Sequence, residues 1–167
     1  HVYTVEQSIS NPDILYAGTA TSGLWKSINR GVTWLPLTNN ILVSSVYAIE
    51  IDHSNANIVY ASIGNSVRKS TDGGISFLPT GDATFQSLSL TVRDIRMLPG
   101  NSNIIFACTN AGLFRTNNGG LTWTNAQAGD FQEVEIHPGN TSIIYGVRKN
   151  GTKTEFFKSE NTGVSFT

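Results

Sequence analysis

The sequence predicts an all-β fold assembled from four copies of one antiparallel, four-stranded unit. Three observations carry the prediction. A signature of two apolar residues and an aromatic occurs four times, a glycine turn follows it each time, and those turns lie 43, 46 and 43 residues apart. Self-similarity at a fixed period of about 20–50 residues marks a repeat architecture, because one unit cannot bury its apolar face alone.

The signature stands at Ile14-Leu15-Tyr16, Ile58-Val59-Tyr60, Ile104-Ile105-Phe106 and Ile143-Ile144-Tyr145. Around it lie short runs rich in Val, Ile, Tyr and Thr, bounded by Asn, Gly, Ser or Pro. In the second copy they are Val46–Asp52, Ile58–Ile63, Ser66–Ser70 and Ile75–Pro79. Runs of this kind are strands, and no useful stretch keeps a helical period. Four antiparallel strands repeated in this way describe a β-propeller blade. The copies fall at roughly 1–43, 44–88, 89–130 and 131–167, within one propeller segment over 1–167.

The glycine turn joins the third and fourth strands of each copy. Its key positions are Ser27, Asn29, Gly31 and Trp34; Ser70, Asp72, Gly74 and Phe77; Thr116, Asn118, Gly120 and Trp123; and Ser159, Asn161, Gly163 and Phe166. The hydroxyl and the Asn or Asp two places on accept backbone N–H groups inside the turn. The glycine takes a left-handed conformation that a side chain would penalise, and the aromatic packs back into the blade. These residues are a folding device. The other connection at that end is also repeated, at Asn11-Pro12-Asp13, Asn55-Ala56-Asn57, Pro99–Asn103 and Pro138–Ser142. His53 and His137 belong to it as turn residues, and no histidine spacing suggests a metal site.

Composition narrows the function. A net charge of -1, from 11 basic and 12 acidic residues, leaves no basic face for nucleic acid. No apolar stretch reaches the ~18–20 residues of a spanning helix. The single cysteine, Cys108, sits in an apolar run and reads as a small core thiol. The chain begins at His1 rather than Met, which fits a processed or excised piece. Asn, Ser and Thr fill 51 positions and only 14% of residues are charged, which suits an extracellular surface.

With its four turns in view, the chain resembles the BNR or Asp-box propeller superfamily, which includes sialidases, sortilin-type receptors and xyloglucan-cleaving glycosidases. It is most similar to secreted multi-repeat proteins of Bacteroidetes, through Asn11–Tyr16, Gly23-Leu24-Trp25-Lys26-Ser27 and Gly112-Leu113-Phe114-Arg115-Thr116 ahead of their turns. The sequence departs from the pattern in that only Asp72 keeps the aspartate, Asn29, Asn118 and Asn161 replacing it. The resemblance implies a ring of six or seven blades or more. Four copies then make a segment, with the remaining blades supplied by the same chain or a second one, the alternative being a four-bladed ring.

Ligands of such propellers meet the irregular rim opposite the glycine turns. The longest blade-joining loop there, Pro79–Thr91, holds Asp82 and Phe85. Counting back from the signature places Glu6, Glu50, Arg96 and Glu135 at one inner-strand position, with Asp94 and Glu133 two residues earlier. The candidate ligand-binding residues are therefore Asp82, Phe85, Arg93, Asp94, Arg96, Asp130 and Glu133. Glycoside hydrolysis needs two carboxyl groups about 5–9.5 Å apart. Asp82, Asp94, Asp130 and Glu133 are the candidates, but no signature surrounds them. Arg68, Arg93, Arg115 and Arg148 are available for a sialidase-type clasp. The expectation is thus a non-catalytic secreted or cell-surface module recognising a glycan or an extracellular protein, without cofactor or metal. The alternatives are part of a sialidase-like or xyloglucanase-like glycoside hydrolase and a structural module of an adhesin-like chain.

Overall fold

A computed structural model describes residues 1–37 and 45–167. The sequence assigns Pro36–Ser44 to a blade-joining loop, and its part from 38 to 44 lies outside the described residues. Four antiparallel sheets follow one another along the chain. The first is β1 (Val2–Gln7), β2 (Leu15–Thr19), β3 (Leu24–Ser27) and β4 (Leu35–Pro36), in that spatial order. The second is β5 (Ile49–Ile51), β6 (Val59–Ser62), β7 (Val67–Ser70) and β8 (Leu78–Pro79). After α1 (Ala83–Gln86) come β9 (Val92–Leu98), β10 (Asn101–Thr109), β11 (Gly112–Thr116) and β12 (Thr124–Ala128). The fourth has β13 (Asp130–Ile136), β14 (Ile144–Asn150) and β15 (Lys153–Ser159). Lys158 and Thr167 exchange backbone hydrogen bonds of 2.9 Å. That is the register of Lys26 with Leu35, Lys69 with Leu78 and Arg115 with Thr124. The chain is all-β, with the repeated sheets of a propeller-like arrangement.

The chain forms two compact units, His1–Thr80 and Gly81–Thr167. The core of the first gathers Tyr16, Leu24, Val46, Ile49, Val59 and Phe77. That of the second gathers Phe106, Cys108, Leu113, Phe131, Val134, Ile144 and Phe166. Cys108 is fully buried, and burial pushes its thiol up.

One turn is built four times with the same bonds. Ser27 Oγ accepts from Gly31 N at 2.9 Å and donates to Asn29 Oδ1 at 3.0 Å, while Asn29 Oδ1 accepts from Thr33 N at 2.9 Å. Ser70, Asp72, Gly74 and Ser76 repeat this at 2.8, 2.7 and 2.9 Å. Thr116, Asn118, Gly120 and Thr122 follow at 3.0, 2.8 and 3.0 Å, and Ser159, Asn161, Gly163 and Ser165 at 2.9, 2.8 and 3.0 Å. The exchange of Asp for Asn reverses one proton. Ser76 Oγ donates to Asp72 Oδ2, whereas Asn29 Nδ2 donates to Thr33 Oγ1. Either residue closes the turn.

The residue before each turn glycine also lies in the left-handed region, at φ 56 for Arg30, 72 for Gly73, 64 for Gly119 and 56 for Thr162. Its N–H donates to the neighbouring connection, at Asp13, Asn57, Asn103 and Ser142 respectively. The Asn-rich connection and the glycine turn are thereby tied together at one end of every sheet. Neighbouring sheets meet on these turns. Tyr16 Oη and Lys26 Nζ both donate to Gly73 O, at 2.9 and 2.8 Å. In the other unit Phe106 lacks a hydroxyl, and Arg115 Nε alone reaches Thr162 O at 2.9 Å.

The structure differs from the sequence reading in three local ways. The inner strand of the second copy is only Ile49–Ile51, because Ser62 Oγ takes the amides of Tyr47 and Ala48, at 2.8 and 3.0 Å. The outer strand shrinks to Leu78–Pro79, since the turn absorbs Ile75–Phe77. The Pro79–Thr91 loop contains the helical turn α1.

Candidate functional site

At the ends of the sheets away from the glycine turns, three of the inner strands carry bulges. In β1, Val2 pairs with Thr19 and Thr4 with Gly18, leaving Tyr3 as the extra residue. In β9, Val92 pairs with Thr109 and Asp94 with Cys108, leaving Arg93. In β13, Phe131 pairs with Arg148 and Glu133 with Val147, leaving Gln132. A bulge re-aims its side chain and interrupts the ladder, and such places recur beside functional sites.

Within the second unit the re-aimed side chains meet. Arg93 Nε donates to Gln132 Oε1 at 3.2 Å, and Arg93 Nη2 lies 2.9 Å from Asp130 Oδ1. Beside Asp130 opens a groove of about 560 Å³, lined by Gly129, Asp130, Arg148, Lys149, Asn150 and Gly151. Arg148 is fixed at three points. Its Nε donates to Glu155 Oε2 at 2.7 Å, its Nη1 donates to Ala128 O at 2.8 Å, and its guanidinium lies over the Phe157 ring at 4.7 Å. Asn150 Nδ2 donates to Glu155 Oε1 at 3.0 Å. Asn150 and Arg148 together hold the Glu155 carboxyl below its ordinary range. The groove thus offers a carboxylate, a guanidinium, an ammonium and an amide around open space. That is a lining for a hydroxyl-rich ligand.

The remaining candidates disperse. Asp82 caps α1, accepting from Phe85 N at 2.9 Å. Phe85 points inward, stacked on Trp123 at 5.3 Å and edge-on to Phe114 at 5.3 Å. Asp94 Oδ2 accepts from the buried Val134 N at 3.1 Å, and its Oδ1 faces Arg96 Nη1 at 3.2 Å. Arg96 Nε lies 4.0 Å from Glu135 Oε2, while Glu133 is exposed. Arg93 serves Asp130, and Asp94 serves Arg96. The inner register counted from the sequence is the one observed, with Glu6, Glu50, Arg96 and Glu135 opposite Tyr16, Tyr60, Phe106 and Tyr145. His53 Nε2 sits 3.1 Å from Glu50 Oε1, and that hydrogen bond pushes the imidazole up. Sequence reasoning missed Gln132 and the Arg148–Glu155–Asn150 bracket. Gln132 was findable, because it precedes Tyr145 by the same 13 residues as Arg93 precedes Phe106.

Among the described residues no group of three or more His, Cys, Asp and Glu side chains is placed to hold a metal, and no helix is long and apolar enough to cross a membrane.

The fold and groove define an all-β repeat protein with a polar site on its irregular sheet ends. No family model matches the chain. A xyloglucanase of Hypocrea jecorina is 24% identical over 173 residues, covering 99% of this chain and 20% of that protein. The chain spans about a fifth of that curated relative. Among solved structures, an ancestral GH74 enzyme superposes with a TM-score of 0.82 at 21% identity, over 99% of this chain and 23% of that one. The GH74 xyloglucanase of Xanthomonas campestris gives 0.77 at 15%, over 98% and 29%. The GH74 enzyme of Niastella koreensis gives 0.71 at 24%, over 99% and 29%. The chain has the GH74 xyloglucanase-like repeat fold. Nothing in these matches singles out the sialidase-type Asp-box group or a Bacteroidetes origin.

The same relatives correct the functional expectation. The non-catalytic protein- or glycan-binding module, and the leaning against an enzyme, are set aside, because the similar curated protein and these structures are named as xyloglucanases or GH74 enzymes. The alternative stated with it, glycoside hydrolysis, is the better supported.

Proposed function

We propose that the chain is part of a glycoside hydrolase acting on xyloglucan. The observation that carries the reading is the match to a xyloglucanase along 99% of the chain. The groove beside Asp130 supplies a place for the chemistry. Of the four carboxylates the sequence offers, Asp82 is spent as a helix cap and Asp94 on Arg96 and the Val134 amide. This leaves Asp130, in the groove, and Glu133, exposed on the same strand. We assign these two to the general acid and base that glycosidic cleavage requires, with Arg93 and Gln132 as positioning residues for Asp130. The sheets are read as blades of an Asp-box-type ring of six or seven, dividing near 43, 88 and 130. The other blades come from the same chain or a second one, and the enzyme works outside the cell, as its low charge suits.

Reducing-end release from xyloglucan tests the proposal. With the blades that complete its ring present, the wild-type protein is expected to release sugar ends, and Asp130→Asn or Glu133→Gln to slow release by about 100-fold or more. No release by the wild type, or full release by both variants, would contradict it.

A further inference from the structure

The position 13 residues before the signature aromatic holds Tyr3, Tyr47, Arg93 and Gln132 in the four copies. In the second unit this position produces the Arg93–Gln132 hydrogen bond. In the first unit it brings two aromatic rings together. Tyr3 and Tyr47 lie with centroids 4.6 Å apart and planes tilted by 33°. They remain 43% and 40% exposed.

These rings are not core residues left half out. A tyrosine stabilises a fold through the area it removes from water, and this pair withholds much of that area. Their backbone is nevertheless fixed from behind by buried groups. Val46, fully buried, donates its N–H to Thr19 O at 2.9 Å, and Ser45 Oγ donates to Ala20 O at 2.7 Å. The amides of Tyr47 and Ala48 both donate to Ser62 Oγ, a hydroxyl on a residue only 4% exposed. Tyr3 is aimed by the bulge in β1. His1 meets the Tyr3 ring in a T-shaped contact at 5.3 Å, and a fixed backbone carrying partly exposed rings is the construction of a binding platform rather than of a packing element.

We infer that Tyr3 and Tyr47 form a saccharide-stacking platform that receives the face of a glucose-type pyranose ring. This rests on, and deepens, the hydrolase reading. The C–H groups on a β-glucan ring's faces are weakly positive and meet the electron-rich face of a tyrosine, while the equatorial hydroxyls point outward toward polar partners. The same structural position thus supplies a stacking surface in one unit and holds a carboxylate in place in the other.

The test is calorimetric titration of the 167-residue chain, carrying Glu133→Gln so that ligand is not consumed, with a xyloglucan oligosaccharide of four backbone glucoses. Aromatic-ring NMR shifts are followed in parallel. Tyr3→Ala and Tyr47→Ala should each weaken binding by about 10-fold and Tyr3→Phe by less than about twofold, since the ring face is kept. Folding of each variant is checked by circular dichroism. Unchanged affinity in both alanine variants overturns the inference. So does binding that leaves the two rings unshifted, although xyloglucan cleavage by the wild type would then leave the hydrolase reading standing. Absence of both binding and cleavage removes the two together.

Discussion

The two ends of each sheet follow opposite rules. At the glycine-turn end, four stretches of different sequence repeat the same core of hydrogen bonds, with one proton reversed where Asp72 replaces Asn, and every left-handed residue has a counterpart in the other copies. At the far end the inner-strand side chains differ from copy to copy. One position yields two tyrosines in the first unit and an arginine–glutamine pair in the second, and the fourth sheet opens a polar groove. Repetition marks what every sheet needs in order to fold. Divergence at an equivalent position marks where the sheets present different side chains.

Substitutions at the repeated end should therefore act on stability. The largest effect is expected for Gly163→Ala. Its φ is 71°, and a Cβ there would run into the Phe106 ring. Strain and overpacking together should cost on the order of 3 kcal/mol, read as a lowered denaturant midpoint. Ser70→Ala comes next. It strips a buried hydroxyl that accepts from Gly74 N and donates to Asp72, for a loss of about 1–3 kcal/mol. Thr162→Gly should go the other way. A β-branched residue at φ 56° is strained, and both backbone bonds of Thr162 survive the change, so a gain of up to about 1 kcal/mol is expected.

The smallest effect is a pH dependence confined to one turn. Hydrogen bonds from Ser76, then from Ser70, hold the Asp72 carboxyl at about 2, below its ordinary 3.8. A carboxyl depressed on folding stabilises the fold above its unfolded value, and that contribution is lost as pH falls through the folded one. Melting temperature should thus fall more steeply between about pH 4 and pH 2 in the wild type than in Asp72→Asn. Equal slopes would mean the carboxylate adds nothing that the amide lacks.

The contrast between the ends also explains what the sequence could convey. The turns were legible because their chemistry is local. A hydroxyl, an Asn or Asp and a glycine at fixed offsets determine their own hydrogen bonds, and the inner-strand register followed by counting from Tyr16, Tyr60, Phe106 and Tyr145. Arg30 and Thr162 in left-handed conformation were not legible, because the tie to Asp13 and Ser142 that holds them there comes from another connection. The bulges at Tyr3, Arg93 and Gln132 were equally hidden, since a one-residue slip in pairing belongs to two strands. Phe85 illustrates the same limit. It lies in a loop by sequence, yet a helical turn capped by Asp82 carries it onto Trp123. The arginine and carboxylate candidates were identified as residues, but their partners were set by distant strands.

The most direct test of this division of labour measures stability and xyloglucan cleavage side by side in Ser70→Ala and Asp130→Asn. The account predicts that Ser70→Ala lowers the melting temperature by several degrees, about 2–4 °C per kcal/mol for a chain of this size, with an unchanged rate per folded molecule. Asp130→Asn should melt within about 2 °C of the wild type and lose nearly all cleavage. An Asp130→Asn chain that cleaves at the wild-type rate, or a Ser70→Ala chain that stays as stable but stops cleaving, would contradict it.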